Sequence, residues 1–442
     1  MRPSEIRLRR VNGLDLWIAI AFIASTLLLI FAAAPAEAQT FTVLHTFTGA
    51  QDGANPYNGL VMDRAGNLYG TAKFGGNNGF GVVFKLSRGG SGWIFTPLHD
   101  FAGAEGSSPT TVTIGPDGNL YGTTEFGGAG GSCQGLGCGV VFKLSPLPTR
   151  CAGFLCPWSV TVLHRFTGGA DGGRPFSGVI FDQQGNIYGT TSQGGQFAGQ
   201  CAGNGCGVVY ELSLSGGTWT ESVIHTFSGG ADGLSPYAGL IFDSTGKLYG
   251  TTPYGGSLNA GTVLVLTPSG SGWTHSILYN FQAGADGTYP YGGLTFDHAG
   301  NLYGTTDIGG DINCACGTIY QLSPSSGGWT HAVLYAFTNT NGDRYPQASL
   351  FIDASGNLYG TTPGGADTPP YGNIFKLAAS NGNWTYNSLY EFTDGADGGH
   401  SYSTVLMDAN GNLYGTASDG GSSHCVSGDD SGTCGVVWQI TP

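Results

Sequence analysis

Gly118-Asn119-Leu120-Tyr121-Gly122-Thr123-Thr124 reads as an apolar residue, an aromatic, a glycine and two threonines, and close copies of it recur along the chain. The seven motif tyrosines are Tyr69, Tyr121, Tyr188, Tyr249, Tyr303, Tyr359 and Tyr414, spaced 52 to 67 residues apart. A period of that size belongs to stacked or radially arranged units that bury their apolar faces on one another.

Working outward from the motif, each unit holds four short β-like runs. The first is apolar and ends in Asp, as in Gly239-Leu240-Ile241-Phe242-Asp243. A tight turn, Ser244-Thr245-Gly246, leads to the motif itself, Leu248-Tyr249-Gly250-Thr251-Thr252. A Gly-Gly loop precedes the third run, such as Gly139-Val140-Val141-Phe142-Lys143-Leu144, and the fourth runs from Trp219 to Phe227 in its unit. Short runs rich in β-branched and aromatic residues, bounded by Gly, Pro, Asn and Asp, are strands, and no window carries a helical period. Four antiparallel strands in each of seven units predict an all-β fold, a seven-bladed β-propeller over residues 39–442.

The two ends of the repeat array support a closed ring. Phe41-Thr42-Val43-Leu44-His45-Thr46-Phe47 is a fourth-type strand with no unit before it. Val436-Val437-Trp438-Gln439-Ile440 is a third-type strand with no fourth after it. The first should complete the blade of the second, which hides the last free sheet edge. Within the motif, Gly70, Gly122, Gly189, Gly250, Gly304, Gly360 and Gly415 are expected where an adjacent blade presses in, since a strand glycine marks close approach. The tyrosine should cover the sheet face beside it. Asp63, Asp182, Asp243, Asp297, Asp353 and Asp408 end the first run at the spacing of a side chain that caps its turn, and Gly115 stands there in the second unit.

The pattern Leu-His-x-Phe…Ala-Asp-Gly…Pro-Tyr…Gly-Leu-Ile-Phe-Asp…Gly-x-Leu-Tyr-Gly-Thr-Thr…Gly-Gly resembles the GloVer (Gloeo/Verruco) tandem repeat of exported bacterial proteins, choice-of-anchor type. The resemblance covers residues 41–442 and all seven copies. It implies an extracytoplasmic repeat protein without an assigned reaction. Family members often carry a C-terminal sorting anchor, whereas this sequence stops at Pro442 directly after a strand, so anchoring through that end is not expected.

The first 38 residues read as an export signal. Arg2, Arg7, Arg9 and Arg10 precede an apolar stretch from Leu14 to Ala34, and Ala36-Glu37-Ala38 fits a small-x-small cleavage site. The apolar stretch is long, so an uncleaved N-terminal anchor is the alternative. Residues 39–442 keep 11 basic against 26 acidic residues, which argues against a nucleic-acid partner, because such proteins concentrate Lys and Arg on one face. After cleavage no membrane association is expected, and the protein should be a secreted, periplasmic or extracellular monomer. All ten cysteines lie beyond the signal, as near neighbours. Disulfides are expected for Cys133–Cys138, Cys151–Cys156, Cys201–Cys206 and Cys425–Cys434. Cys314 and Cys316 stay open, because a bridge across one residue is strained.

No short catalytic motif is present: neither G-x-S-x-G, H-E-x-x-H, a Walker loop nor an EF-hand loop. No cofactor is expected. His45, His99, His164 and His225 share one repeat position with Tyr279, Tyr335 and Tyr390, which favours a half-buried structural ring over a metal ligand. One constellation remains. If the Asp-ended run is innermost, the loops entering it and those between second and third strands emerge on one face. That face carries Asp52 with Tyr57, Asp171 with Phe176, Asp232 with Tyr237 and Asp286 with Tyr291, while Asp397 is followed by His400 and Tyr402. Aromatics and carboxylates around a channel suit a sugar, whose apolar face stacks while its hydroxyls donate. Residues repeated in nearly every blade also serve the scaffold, so the same groups could simply build the turn and plug the mouth. The reading is an exported non-catalytic binding or interaction module for carbohydrate, a cell-surface component or a protein. The alternative is a propeller hydrolase or lyase, which would need off-pattern polar residues to converge. Glu125, Asp307, Asp311, Asp367, His400 and His424 are the candidates.

Overall fold

Seven four-stranded antiparallel sheets succeed one another in the computed structural model, which describes residues 39–442 apart from 91, 129, 131–132, 134, 148–157, 271, 341, 366–368, 381, 422–424 and 427–431. Blade 1 consists of Val61–Met62, Leu68–Ala72, Val82–Gly89 and Gly92–Asp100. Blades 2 to 6 repeat the order, with motif strands Leu120–Phe126, Ile187–Thr191, Leu248–Thr252, Leu302–Thr306 and Leu358–Thr362. Blade 7 takes Leu406–Met407, Leu413–Ala417 and Val436–Thr441 from the end of the chain and Thr40–Thr46 from its start. The Phe47 N–H donates to Gly435 O at 3.1 Å, and Phe41 stacks on Tyr390 with ring centroids 3.8 Å apart. The ring therefore closes through its two ends. Among the described residues the only helical pieces are three single 3₁₀ turns, Gly199–Cys201, Gly230–Asp232 and Gly284–Asp286.

Each residue of the motif has a separate job, and one differs from the expectation. The motif glycine makes room inside its own blade. A Cβ on Gly70 would lie 2.6 Å from the Phe84 ring, which comes from the third strand of the same sheet, directly opposite in register. Tyr210 and Tyr320 crowd Gly189 and Gly304 in the same way, and Trp438 crowds Gly415. The contact between blades is made instead by the tyrosine, on the other face of the strand. Tyr69 of blade 1 is buried among Val112, Leu120 and Phe142 of blade 2. Tyr414 of blade 7 is buried among Leu60, Leu68 and Phe84 of blade 1. Sequence alone does not reveal whether a small residue accommodates a neighbour across the ladder or across the blade gap. The large third-strand aromatics decide it.

The first motif threonine ties each blade to the next. Thr71 donates to Thr110 O, Thr123 to Ser177 O, Thr190 to Ala238 O and Thr251 to Gly292 O. Thr305 donates to Ala348 O, Thr361 to Ser403 O and Thr416 to Asn58 O, at 2.9–3.2 Å for these last three. Seven hydrogen bonds from buried threonine hydroxyls, of about 1 kcal/mol net each, thus encircle the ring. The turn aspartates cap their turns: Asp243 accepts from the backbone of Thr245 and Lys247 and from the Tyr249 hydroxyl. Blade 2 has Gly115 at that place, and Asp117 takes the Tyr121 hydroxyl instead at 2.9 Å.

Candidate functional site

The Asp-ended strands are innermost. Their backbones, from Gly59 in blade 1 through Thr113, Gly178, Gly239, Gly293 and Ser349 to Thr404 in blade 7, line a central channel segment of about 320 Å³. At one end it widens into a cavity of about 480 Å³. Tyr57, Phe176, Tyr237, Tyr291 and Tyr402 line that cavity, one ring from each of five blades. The two remaining blades contribute Pro109 and Gln347. Phe176 and Tyr237 lie 4.6 Å apart by ring centroid, Tyr237 and Tyr291 5.5 Å, and Tyr57 and Tyr402 5.3 Å.

A repeated backbone device aims these rings. The residue two positions before each ring has a left-handed backbone: Asn55, Ser108, Arg174, Ser235, Tyr289, Tyr345 and His400, with φ between 51° and 62°. A proline follows in six blades and fixes the next φ; Ser401 stands there in blade 7 and binds Thr416 O at 2.7 Å. The N–H of each left-handed residue is held by a carbonyl of the preceding blade. In four blades that carbonyl belongs to a bridged cysteine: Arg174 N to Cys138 O, Ser235 N to Cys206 O, Tyr345 N to Cys316 O and Asn55 N to Cys434 O. The bridges Cys133–Cys138, Cys201–Cys206 and Cys425–Cys434 are formed, and so is Cys314–Cys316, which the sequence left open. Cys151 and Cys156 lie outside the described residues. The bridges therefore brace the carbonyls on which the next blade's ring loop hangs.

The Asp-Gly carboxylates do not reach the cavity. Asp52 is held within its own loop, by the Thr48 N–H at 3.0 Å, the Thr48 hydroxyl and His45 Nε2 at 3.2 Å. Burial pushes its pKa up, but these partners more than offset that and hold it below the usual range. Asp171 repeats this with Thr167, Asp232 with Ser228, and Asp397 with Thr393. Asp286 accepts from the Gln282 N–H and the Tyr279 hydroxyl. A carboxylate four residues after a free N–H closes a turn, and that local demand wins over display toward the channel. His400 also turns aside, with Nδ1 2.8 Å from Asp419 and Nε2 3.3 Å from Gly365 O.

The cavity's polar groups are the off-pattern residues. Lys73, Glu125 and Asp307 directly follow the five-residue motif of blades 1, 2 and 5, where the other blades have Ser or Pro. Glu125, its side chain only 3% exposed, pairs with Lys73 at 2.9 Å and with Arg174. Lys73 Nζ also sits 5.2 Å from the Tyr57 ring centre. Asp307 accepts from Gln347 Nε2 at 2.9 Å, and burial raises its pKa against that bond. Asp311 lies outside the cavity lining, and Asp367 and His424 lie outside the described residues. Tyr402 lies on the face where loop order placed it, and Gln347 was findable from sequence as the residue aligned with Tyr57. Lys73 was findable only as a break in the pattern after the motif.

The face around the mouth is apolar at its tips. Phe80, Leu136, Phe197, Leu258, Ile312 and Val426 are exposed on loops between second and third strands of six blades. Bridges such as Leu234 to Tyr254 and Thr288 to Ile308 join those loops to the ring loops, which places both sets on one face.

The architecture and its repeated motif define an all-β propeller built from seven copies of one tandem unit. The chain belongs to the Gloeobacter/Verrucomicrobia repeat family, whose description matches residues 29–201 and 197–427. No curated protein matches it. Among solved structures it is similar to the extracellular domain of a proposed hybrid two-component system from B. thetaiotaomicron, at 14% identity and TM-score 0.51, over 91% of this chain and 41% of that one. It is similar to a proposed 6-phosphogluconolactonase from Bacteroides uniformis at 17% identity and TM-score 0.50, over 79% and 88% of the two chains. A fungal alcohol oxidase in complex with copper matches at 13% identity and TM-score 0.51, over 91% and 76%. At these identities the likeness is one of fold. No helix among the described residues is long and apolar enough to cross a membrane.

Proposed function

We propose that this is an exported, non-catalytic binding module that holds an uncharged, sugar-like ligand at the channel mouth. The observation that carries the reading is the convergence of five aromatic rings from five blades on one cavity of about 480 Å³. That volume is within the range of small-molecule sites, and exposed ring faces with a few fixed polar groups are what a sugar requires. Lys73 and Arg174 both pair with Glu125, and with Asp307 counted the cavity sets two cations against two carboxyls, which favours an uncharged ligand over an ionic one. Asp307 and Gln347 supply hydrogen-bonding groups for hydroxyls. Four bridged cysteine pairs and the N-terminal signal pattern support export. A glycan array probed with the purified protein is the test. Saturable binding to one glycan class supports the reading, and no binding above background to any glycan overturns it.

A second reading rests on the place of Asp307 in the cavity lining, where its half-buried carboxyl has its pKa raised by desolvation, as a general acid requires. It requires turnover of the bound glycan that Asp307→Asn abolishes while binding persists.

A further inference from the structure

Away from the channel, the outer parts of neighbouring blades meet through stacked rings. A fourth-strand residue of one blade lies on a fourth-strand residue of the next: Phe41 on Tyr390, Phe95 on His45, His331 on Tyr279 and Tyr386 on Tyr335. Between blades 3 and 4 both members are histidines. His225 and His275 stack with centroids 4.1 Å apart and planes 14° from parallel. Asp232 Oδ1 sits 3.2 Å from His225 Nε2 and 3.1 Å from His275 Nδ1.

We propose that His225, Asp232 and His275 form a site for a divalent transition-metal ion of borderline softness, Zn²⁺ or Cu²⁺, that clasps blade 3 to blade 4. One donor atom from each residue lies within 4.8 Å of the others, and no other group of described residues brings three such donors together. The two nitrogen-to-oxygen separations are close to the edge, about 3.3 Å, of a tetrahedron with ordinary zinc–nitrogen bonds. His225 Nε2 is buried and has no aligned hydrogen-bond partner, although the carboxylate is within reach. Such a nitrogen gains from an ion that takes its lone pair. Two imidazoles and one carboxylate suit Zn²⁺ and Cu²⁺ better than Mg²⁺ or Ca²⁺. To share one ion the rings turn about their Cβ–Cγ bonds and lean apart. No described disulfide links one blade to another, so the ion would be the cross-blade clasp at this junction.

Tyrosine replaces His225 in three repeats, which in the sequence favours a structural ring. His275 stands at a different repeat position, and the next blade brings it against His225. The repeats also supply conservative controls, since Tyr279 stands where His225 does and Phe95 where His275 does. Purified untagged protein, stripped with chelator, is titrated calorimetrically with ZnCl₂ and separately with CuCl₂, and melting is followed with and without the ion. One saturable equivalent and a raised Tm are expected for at least one of the ions. H275F and H225Y should each weaken uptake about tenfold or more while the stripped proteins melt near the wild-type temperature. H331F, at the next junction, should leave it unchanged. No saturable uptake of either ion by the wild type, or full uptake by H275F, overturns the proposal. If H275F alone fails to fold, H225Y decides by the same criterion.

Discussion

Thr416 Oγ1 donates a 2.9 Å hydrogen bond to the carbonyl oxygen of Asn58, joining the last blade to the first across 358 positions of sequence. The other six junctions use the same bond, so this junction repeats the ordinary inter-blade link, while the N-terminal strand that completes blade 7 closes the ring. Thr416→Val keeps the shape and removes the donor, leaving the half-buried Asn58 carbonyl without its partner, at a cost of about 1–3 kcal/mol. A Tm lower by roughly 1–3 °C is expected from calorimetry on a chain this long. Deleting residues 39–48 removes the outer strand of blade 7 and uncovers the edge of Val436–Thr441, so it should cause aggregation or a much larger loss. If the deletion melted like the intact protein, the closed ring would be wrong.

The strand count, the blade count and the closing strand were legible because they depend on periodicity and on complementary ends. The roles within the motif were less so. Gly70 and Tyr69 are adjacent, and only the size of Phe84 across the ladder assigns the first to the blade interior and the second to the blade gap. At the site, Tyr57, Phe176, Tyr237 and Tyr291 could be placed at the mouth from the order of loops. Asp52 and its equivalents could not be placed by loop order, because a carboxylate's direction depends on which N–H lies nearest, here that of Thr48. His275 was invisible for a third reason: its partner His225 lies 50 positions earlier and meets it only across the blade gap.

The bridged cysteines should matter to the ring loops more than to the fold. Each short loop restricts the unfolded chain by only about 2 kcal/mol. Cys138, Cys206, Cys316 and Cys434 each hold the N–H of a left-handed residue in the next blade, so reduction should loosen those loops first. Hydrogen exchange on reduced protein is expected to speed up at Arg174, Ser235, Tyr345 and Asn55 while the Tyr188 and Tyr249 strands stay protected. Peptide mapping without reductant should recover the bridged pairs. Free thiols at Cys133 and Cys138 in exported protein would refute the assignment.

Acid should weaken the ring through its turn aspartates. Burial pushes the carboxyls of Asp63, Asp243, Asp297, Asp353 and Asp408 up. Hydrogen bonds from turn side chains, backbone N–H groups and the motif tyrosine outweigh burial and leave all five below the usual range. Asp117 is lowered too, with Lys143 adding its charge. A carboxyl depressed in the folded state stabilises above its unfolded pKa, near 4, and loses that contribution as pH falls through the folded value. Tm should therefore decline below about pH 6.5, where the unfolded chain protonates His99, His275 and His331 more readily than the fold that buries them, and decline further below about 4 as the aspartates take protons. Replacing Asp243 with Asn should shallow that decline and lower Tm at pH 7. A Tm that is flat down to the lowest soluble pH would remove the turn aspartates from the account.

Tyr237 and Tyr291 decide between recognition and scaffold. Both rings touch a neighbouring ring and both line the cavity, so truncation could act through either role. Stacking beyond simple burial is worth about 0.5–1.5 kcal/mol per ring. Tyr237→Ala with Tyr291→Ala should then weaken a stacked ligand by roughly fivefold to two-hundredfold. The stability cost should be modest, because the rings face an open mouth and the seven threonine bonds lie outside it. One polar loss is foreseeable: Tyr291 shares a hydroxyl–hydroxyl bond with Tyr254, which the double variant breaks. Tyr291→Phe isolates that term, since it keeps the ring and removes only the hydroxyl. Affinity for a glycan found on the array, measured beside Tm for all three proteins, separates the roles. Affinity lost in the double variant but kept in Tyr291→Phe, at nearly unchanged Tm, places the ligand on the rings. A fall in Tm with undiminished affinity of the folded fraction makes Tyr237 and Tyr291 scaffold, and moves the search to the exposed tips around Ile312 and Leu258.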